Sequence, residues 1–566
     1  MRNWRPYHEV PADWGANPLI PVPPNLSDLG FANFQGPLRG SWREYQAGAV
    51  SRIINSTKKF VLVQAPTGAG KSPIAVAAAE LIDPKVARRK VQKNGDVTEL
   101  IPQSSILSTT KQLTWQYLGD FSDQAIELKG RSNYDCLVEP VTAAEAPCTV
   151  HGSRSCSSLD SCPYYTTLAK AEHMPLGINN YANYLTNANY AQRFHNQTAL
   201  FLDECHLLED QLMGFISQEV SLYTCRKFDI VPPTNSVAKG MAIPFREWQG
   251  WATTWYPELA EQVARLKEVL RAQAEPDMGL RRQWQQGKTL LATLSYLRGA
   301  KDAWIITNTG DYGWEFKPIW IGQYADSLLY QYGSKIVLMS ATILDPMTFA
   351  KTVGINPSEM EFVDVPSTFP AGARPIYYNP QMVVKGGMKD GELQPLLDSI
   401  YRTCREHEGE KGLIHTVSFP LAQAIVRNAP DDVKYRLMGH TSKDRLRVYE
   451  EFRLADEDRI LISPSMREGV SLEDDLCRFI VVCKVPFPYL GDPQTKARMA
   501  SPMGRDWYAW KSMCDLIQMT GRGMRSVTDT CSVYILDESF GRLFRQMSRY
   551  VPGYWKADLV DVKGVL

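Results

Sequence analysis

Four cysteines stand close together between residues 133 and 165, in the segment NYDCLVEPVTAAEAPCTVHGSRSCSSLDSCPYY. Their spacing is C-x11-C-x7-C-x5-C, so no pair has the two-residue gap of a zinc knuckle. Thiols can form disulfides, bind metals or fill an apolar core. The single cysteines elsewhere in the chain are explained as small buried apolar residues. Four cysteines in one short stretch need a different explanation. They are Cys136, Cys148, Cys156 and Cys162.

A glycine-rich turn, QAPTGAGKSPI at residues 64–74, follows an apolar run and precedes an alanine-rich stretch. Strand, turn and helix in this order are the setting of a phosphate-binding loop. Lys71 is predicted to reach the β- and γ-phosphates of ATP, and Ser72 to hold Mg²⁺. Ala65 replaces the first glycine of the strict pattern. A glycine turn before an ordinary helix is the alternative, but the strand upstream and GKS downstream disfavour it. The predicted ATP-binding residues of the loop are Thr67, Gly68, Ala69, Gly70, Lys71 and Ser72.

An acidic pair ends the apolar run TALFLDE, in the segment FLDECH. Asp203 is predicted to hold Mg²⁺ through water, and Glu204 to orient and deprotonate the attacking water. The pair could instead cap the next helix, but a phosphate-binding loop upstream favours catalysis. His206 either couples the site to another domain or is a hydrogen-bonded core histidine.

Two arginines near the C-terminus lie in the segment QMTGRGMR. Gln518, Arg522 and Arg525 are at helical spacing and are predicted to share a face. Two arginines on such a face can bind the γ-phosphate across a cleft. The alternative is that these arginines are solvated surface residues, as most arginines on helices are. The second predicted sheet has no phosphate loop of its own, however, and ATP bound between the two sheets would explain why it faces the first.

Short β-branched runs bounded by polar or turn residues predict buried parallel strands. The first set covers residues 58–66, 198–204 and 335–342, and the second covers 411–417, 459–464, 478–484 and 531–537. Helical patterns lie between them. The chain is therefore predicted to be an α/β protein with two parallel sheets.

Composition limits the function classes only weakly. Lys plus Arg equals Asp plus Glu, so the formal net charge is zero. A zero net charge neither supports nor excludes nucleic-acid binding, because a groove needs only local charge. The N-terminus has no signal-peptide pattern, and the apolar runs are too short to span a membrane. We expect a soluble cytoplasmic protein with reduced thiols.

The motifs taken together resemble those of superfamily 2 helicases, and among them the iron–sulfur helicases of the DinG and XPD type. The resemblance covers roughly residues 36–550. It rests on APTGAGKS, LSTTKQLTWQ, LKGRSNYDC, INNYANYL, DECH, LMSATI, EGVSL, KVPFPYLGDP and QMTGRGMR, which occur in this order.

The resemblance implies that the four cysteines ligate a [4Fe–4S] cluster. Thiolates suit such a cluster, whereas zinc or an empty site is the alternative. It also implies that Gln46 contacts adenine and that Thr110, Lys111 and Asn180 contact the nucleic-acid strand. Ser340 and Thr342 are expected near the strand or between the two sites. The tyrosines near the cysteines either stack on bases or belong to the core; they are Tyr134, Tyr164 and Tyr165.

The implied fold is two RecA-like domains in tandem, at residues 36–375 and 376–566, after an N-terminal extension at 1–35. The first domain is predicted to be interrupted by an iron–sulfur module at 126–175 and a helical, arch-like insertion at 211–300. Leucines at helical spacing indicate that this insertion has no strands of its own. The charged segment 83–103 is predicted to be a surface loop.

The implied function is an ATP-dependent DNA helicase. It would be a monomer of bacterial or phage type, associated with the nucleoid and with DNA repair. It would move 5′ to 3′ along single-stranded DNA and unwind duplex or forked DNA. An RNA helicase or translocase with the same ATPase is the nearest alternative. A redox-sensing DNA-binding protein is an alternative of another class, disfavoured by the intact ATPase residues. A nuclease is a further alternative. It would need an additional cluster of acids or histidines to hold its metals, and the sequence shows none.

Overall fold

The computed structural model describes residue 42 and the ranges 45–82, 88–91, 97–100, 103–109, 111–121, 125–233, 243–273, 277–301, 304–368, 370, 372–464, 472, 474–523 and 529–566. The predicted N-terminal extension at 1–35 lies outside these ranges. So do Thr110, Arg525 and most of the EGVSL segment.

The strands in chain order are β1 (Phe60–Gln64), β2 (Arg88–Val91), β3 (Val97–Leu100), β4 (Ser104–Ser108), β5 (Ala125–Glu127), β6 (Leu176–Asn180), β7 (Gln197–Leu202), β8 (Gln218–Ser221), β9 (Ile305–Asn308), β10 (Gly313–Lys317), β11 (Gly333–Ser340), β12 (Met360–Asp364), β13 (Ile376–Met382), β14 (Gly412–His415), β15 (Leu437–Gly439), β16 (Ile460–Ser463), β17 (Phe479–Val482), β18 (Ser532–Asp537) and β19 (Leu559–Asp561).

The α-helices in chain order are α1 (Gln46–Asn55), α2 (Lys71–Leu81), α3 (Lys111–Phe121), α4 (Cys148–His151), α5 (Pro163–His173), α6 (Tyr181–Asn189), α7 (Leu208–Ile216), α8 (Leu222–Lys227), α9 (Phe245–Ala272), α10 (Met278–Gly299), α11 (Gly322–Leu328), α12 (Pro346–Thr352), α13 (Gln394–Glu406), α14 (Phe419–Asn428), α15 (Asp431–Lys434), α16 (Arg445–Leu454), α17 (Pro493–Met499), α18 (Gly504–Thr520), α19 (Ser539–Met547) and α20 (Gly553–Ala557).

Two parallel sheets carry the fold, and each has seven strands among the described residues. The first has the order β12-β1-β11-β7-β4-β6-β5, and the second has the order β15-β16-β14-β17-β18-β13-β19. The central strands β1, β4, β7, β14, β16 and β17 are buried along their whole length. Strands buried on both faces read as continuous apolar runs, which is why the sequence predicts them. All seven predicted strands are confirmed, with ends shifted by no more than two residues.

The predicted helical insertion at 211–300 contains α9 and α10, which pack as an antiparallel pair. The prediction that it has no strands is wrong, because β8 lies inside it. β8 pairs with β10, and β10 with β9, in a three-stranded antiparallel sheet. A strand of four residues shows little periodicity, and its partner lies about ninety residues further along the chain.

The prediction of a surface loop at 83–103 is also wrong in part. Within this segment β2 and β3 pair as a two-stranded antiparallel ribbon. The sequence does not predict these two strands, because the segment is highly charged and because alternation of apolar and polar residues over only four positions is a weak signal. Across the described residues, no helix combines the length and apolar character that crossing a membrane requires.

Candidate active site and cysteine module

The phosphate-binding loop lies between β1, a central strand of the first sheet, and α2. Gly68 and Gly70 have φ angles of 81° and 79°, in the left-handed region that glycine adopts without strain. A Cβ atom on Gly70 would lie 2.2 Å from Nε2 of Gln46. The loop therefore requires glycine at position 70 for its conformation, and a larger residue would also displace the Gln46 side chain.

Gln46 is the first residue of α1 and is buried against this loop. Its Nε2 donates hydrogen bonds to the carbonyl oxygens of Ala69, at 2.9 Å, and of Gly70, at 3.3 Å. Gln46 thus braces the loop from the side of α1. Its contact with adenine stays a prediction.

The acidic pair follows β7, at the carboxyl edge of the first sheet. Oδ1 of Asp203 accepts a hydrogen bond from the backbone N–H of Glu204 at 2.9 Å, and Oδ2 accepts one from the hydroxyl of Tyr117 at 3.0 Å. Nζ of Lys71 lies 3.8 Å from Oε1 of Glu204. Ser72 is buried in the first turn of α2. The structure therefore brings together the predicted phosphate, magnesium and general-base residues.

The two carboxyl groups of the pair differ in their tendency to ionise. Burial, together with the charge of Glu204, raises the pKa of Asp203 to about 6, although Lys71 opposes the shift. Burial would also raise the pKa of Glu204, but Lys71 and His206 outweigh it and hold that pKa well below its usual value. Glu204 is therefore ionised at neutral pH, as the acceptor of a proton from water must be.

A line of polar contacts runs from the acidic pair to the arginine segment, which lies between β17 and β18 of the second sheet. Nδ1 of His206 lies 3.3 Å from Oε2 of Glu204 and 2.8 Å from Oγ of Ser340. The Ser340 hydroxyl also accepts the backbone N–H of Thr342 at 3.1 Å. Each of these side chains except Glu204 is almost fully buried.

The line continues into α18. Nε2 of Gln518 donates to Oγ1 of Thr342 at 2.9 Å, and Nη2 of Arg522 donates to Oε1 of Gln518 at 3.2 Å. Gln518 and Arg522 therefore lie together, as their spacing predicts, and face the first sheet. Arg525 lies outside the described residues.

A second contact between the two halves is centred on Glu209, five residues after Glu204. Its carboxylate pairs with Nη2 of Arg498 at 2.6 Å and accepts a hydrogen bond from Nε1 of Trp507 at 3.1 Å. The Arg498 guanidinium also lies 4.9 Å from the ring of Trp320 and 4.7 Å from that of Trp507. No motif predicts this contact, because its members come from distant parts of the chain.

All four clustered cysteines line one pocket. Its other walls are mostly apolar, with Leu137, Val138, Ala143 and Ala146, and the four thiols are free. Nη2 of Arg131 donates a hydrogen bond to Sγ of Cys148 at 3.3 Å.

The donor set and its surroundings fit a [4Fe–4S] cluster. Among the residues that the structure describes, no three His, Cys, Asp or Glu side chains are close enough together to hold one metal ion. A cluster takes one thiolate at each of four irons, so its ligands surround a larger body than a single ion. Four thiols that line one pocket with mostly apolar walls match that number and type of ligand.

Helix α10 holds the loop that joins the first two of these cysteines. Arg281, which is 1% exposed, donates to both carboxylate oxygens of Glu139, at 2.9 and 3.3 Å, and to the carbonyl oxygen of Glu145. Arg282 binds the Glu145 carboxylate at 2.9 Å, and Gln285 donates to the carbonyl of Ala144. No sequence pattern predicts this clamp, since its partners lie more than a hundred residues apart.

The residues predicted to touch the strand are only partly described. Lys111 is the first residue of α3. Asn180 ends β6 and caps α6, with its Oδ1 accepting the backbone N–H of Asn183 at 2.8 Å. Their contacts with nucleic acid stay predictions.

Tyr164 is the most closely packed of the three tyrosines near the cysteines. Tyr164 is buried, and its ring lies 5.6 Å from that of Tyr134 and 5.1 Å from that of Tyr165. Arg131 lies over the same ring at 4.9 Å. These contacts favour the core interpretation for Tyr164.

Two family models match separate parts of the chain. One is described as the helicase C-terminal domain and matches residues 400–558. The other is described as the res subunit of type III restriction enzymes and matches residues 39–226. An ATP-dependent DNA helicase DinG from Photobacterium profundum is 26% identical over 250 residues, which are 41% of this chain and 35% of the relative. The match thus spans about a third of that relative's length.

Solved structures show the same fold. A structure named XPD helicase has a TM-score of 0.63 at 15% identity, and the alignment covers 92% of this chain and 100% of the other. S. tokodaii Xpd4 has a TM-score of 0.54 at 12% identity, with 89% and 98% covered. The two seven-stranded sheets are therefore RecA-like domains in tandem, as the sequence predicts.

Proposed function

We propose that this chain, a superfamily 2 helicase of the DinG and XPD type, uses ATP hydrolysis to move along single-stranded DNA and to unwind duplex or forked DNA. We further propose 5′ to 3′ movement, action as a monomer in the cytoplasm, and a [4Fe–4S] cluster in the cysteine module. The proposed domain limits are 36–375 and 376–566.

The observation that carries the proposal is the line of polar contacts from Glu204 to Arg522. It joins the acid beside the phosphate-binding loop to an arginine of the other half of the molecule. A nucleotide bound at the loop would lie at the end of this line. Loss of the γ-phosphate would then alter contacts on both sides of the cleft, as a domain movement driven by hydrolysis requires.

The residues around the nucleotide divide the chemistry among them. Lys71 and the loop N–H groups bind the phosphates, while Ser72 and Asp203 hold Mg²⁺. Glu204 orients the attacking water and accepts its proton. Arg522, together with Arg525, stabilises the charge that develops on the γ-phosphate in the transition state.

The cysteines serve a separate part of the function. Cys136, Cys148, Cys156 and Cys162 would hold the cluster, which when bound supplies a cross-link between loops that have little apolar core of their own. Arg281 fixes one of these loops to α10. The module thereby becomes a rigid body against which two DNA strands can part.

Unwinding assays with tailed duplexes test the function directly. We expect ATP-dependent separation of a duplex with a 5′ single-stranded tail and little separation with a 3′ tail. The reverse preference would contradict the polarity. ATPase activity stimulated by single strands without unwinding of either substrate would identify a translocase instead. Equal stimulation by RNA and DNA in competition would favour the RNA alternative.

Metal analysis tests the cluster independently of activity. Anaerobically purified protein should be brown and contain about four irons per chain. Stoichiometric zinc without iron, in protein that was never exposed to air, would contradict the cluster.

A further inference from the structure

The ion pair between Glu209 and Arg498 belongs to a larger buried joint, in which α7 of the first half of the molecule meets α17 and α18 of the second. Glu209, Arg498 and Trp507 are 5%, 6% and 3% exposed. Besides pairing with Glu209 at 2.6 Å, Arg498 donates from Nε to the carbonyl oxygen of Ile319 at 2.8 Å. Its guanidinium lies against the rings of Trp320 and Trp507, which meet edge to face at 5.8 Å. One arginine thus contacts two separate segments of the first half and a neighbouring helix of the second.

The ion pair sets the register of the joint rather than its strength. Taking a carboxylate and a guanidinium out of water costs about as much free energy as their attraction supplies. The pair therefore adds little to the affinity of the two halves, but a buried charge left without its partner would be costly. Burial raises the pKa of Glu209, although Arg498 opposes the shift. Since a planar guanidinium donates only in fixed directions, the halves fit together in the arrangement that brings Arg498 to Glu209.

Helix α18 extends from this joint to the nucleotide site. Trp507 and Gln518 are eleven residues apart in this helix, which is about 16 Å along its axis. The side-chain contacts of one helix face with the first half are Trp507 with Glu209, Lys511 with Asp210, Cys514 with the carbonyl oxygen of Thr342, and Gln518 with the Thr342 hydroxyl. A rotation of about 4° at the joint would therefore move Gln518 by about 1 Å.

The contacts at the far end of α18 do not tolerate a displacement of that size. Gln518 donates to Thr342 at 2.9 Å, and Arg522 donates to Gln518 at 3.2 Å. Such hydrogen bonds are largely lost when they are lengthened by about 1 Å, and reacting groups misplaced by about 1 Å can lower a rate about a hundredfold. The joint contains no residue of the phosphate-binding loop, yet it determines where Arg522 lies.

We propose that Arg498 is a positioning residue for ATP hydrolysis, which acts through the joint to place Gln518 and Arg522 against the nucleotide site of the first half. The inference rests on the proposed function, because it takes Arg522 to act on the γ-phosphate. Binding of the nucleotide should not depend on Arg498, since the phosphate-binding loop, including Lys71, belongs to the first half. A fault in the joint should thus lower kcat and leave KM for ATP unchanged.

The test uses a double variant of the full-length protein, Glu209→Gln with Arg498→Met. Both charges are removed together, so no unpaired charge remains, and methionine replaces the apolar stem of the arginine between the two tryptophans. We expect a Tm within about 2 °C of the parent, because neutral residues of similar volume can replace a buried ion pair at little cost. The kcat should nevertheless fall about tenfold or more, with KM for ATP within about twofold of the parent. Thermal unfolding and ATPase rates against ATP concentration measure these quantities.

Two single variants separate positioning from stability. Arg498→Met alone leaves the Glu209 carboxylate buried without its partner and should lower both the Tm and kcat. Adding Glu209→Gln should restore the Tm but not kcat. Arg436→Lys is the control, because it removes hydrogen bonds of another buried arginine whose partners, the carbonyl oxygens of Cys404 and His407, lie within the second half. Its Tm should fall, while kcat and KM measured well below that temperature stay those of the parent.

Recovery of kcat together with the Tm in the double variant would overturn the positioning role of Arg498. A raised KM for ATP with a parental kcat would overturn it as well. A parental kcat in Arg522→Ala would instead contradict the proposed function. In that case the kcat of the double variant still decides whether Arg498 acts on hydrolysis through the placement of Gln518.

Discussion

The nucleotide site and the cysteine module are held in place in different ways. At the nucleotide site Asp203 and Thr342 each come after a strand of the first sheet, and their side chains are hydrogen-bonded to the buried residues Tyr117 and Gln518. In the module the four cysteines are only half-buried and lie on turns and on α4, a helix of four residues. The module is fastened from outside by Arg281 of α10.

This difference indicates which region needs a ligand to be ordered. The nucleotide site is preorganised by the packing of two sheets, so it exists before ATP binds. The module buries few large apolar side chains, so metal ligation must contribute much of its folding energy. We therefore expect changes at the nucleotide site to affect chemistry without affecting the fold. Changes in the module should affect its structure without affecting hydrolysis.

Glu204→Gln should have the largest effect. Removing the general base should lower ATP turnover by about a thousandfold or more, while nucleotide and Mg²⁺ still bind because the loop is unchanged. Steady-state ATPase rates and titration with a fluorescent nucleotide measure the two quantities. Glu80→Gln, an exposed acid on α2, is the control. Near-parental turnover in Glu204→Gln would mean that the preorganised site uses another base.

Cys136→Ser should abolish unwinding while keeping ATPase activity within about threefold of the parent, because no residue of the nucleotide site lines the cysteine pocket. The variant should also lose its brown colour and its iron. Cys225→Ala changes a buried cysteine that does not line the pocket. This control variant should keep both its unwinding activity and its iron. If the serine variant unwound DNA as well as the parent, the cysteine module would not be needed for unwinding.

Arg281→Met should loosen the module without removing its ligands. It leaves the Glu139 carboxylate without its partner, at a cost of about 2 kcal/mol because that acid is partly exposed. Iron should pass to a chelator several-fold faster, and the loop at 139–145 should be cleaved sooner by protease. Arg282→Met removes the exposed neighbouring pair and should change both rates little. Equal rates in the two variants would show that α10 does not support the module.

Asp364→Asn should have the smallest effect, and only at high pH. Burial raises the pKa of Asp364 to about 6, although its hydrogen bond from Gln64 opposes this. The folded state then holds the proton more tightly than the unfolded chain, whose carboxyl pKa is about 3.9. Stability from this group is therefore lost as the pH rises from about 4 to about 6.

The asparagine variant lacks this loss and still offers Gln64 an oxygen. Its Tm should exceed that of the parent by about 2 °C at pH 8, and the difference should disappear near pH 4.5. Thermal unfolding at the two pH values measures it. A difference that is independent of pH would show that burial does not raise the pKa of Asp364.

The sequence alone determined the two parallel sheets, the phosphate-binding loop, the acidic pair and the positions of the cysteines. Each of these features is encoded by a short stretch of consecutive residues. A strand buried on both faces is a continuous apolar run, and a phosphate loop is one short segment between a strand and a helix. Short strands such as β8 were missed because four residues carry little periodicity and the partner strand lies far along the chain.

Only the tertiary structure decided which side chains support these motifs. Gln46 braces the glycine loop, Tyr117 holds Asp203, Glu209 binds Arg498, and Arg281 holds Glu139. None of these pairs is close in sequence, and each residue type is common on ordinary helices. Their partners are set by how helices pack on the two sheets, which depends on the whole chain rather than on any local pattern.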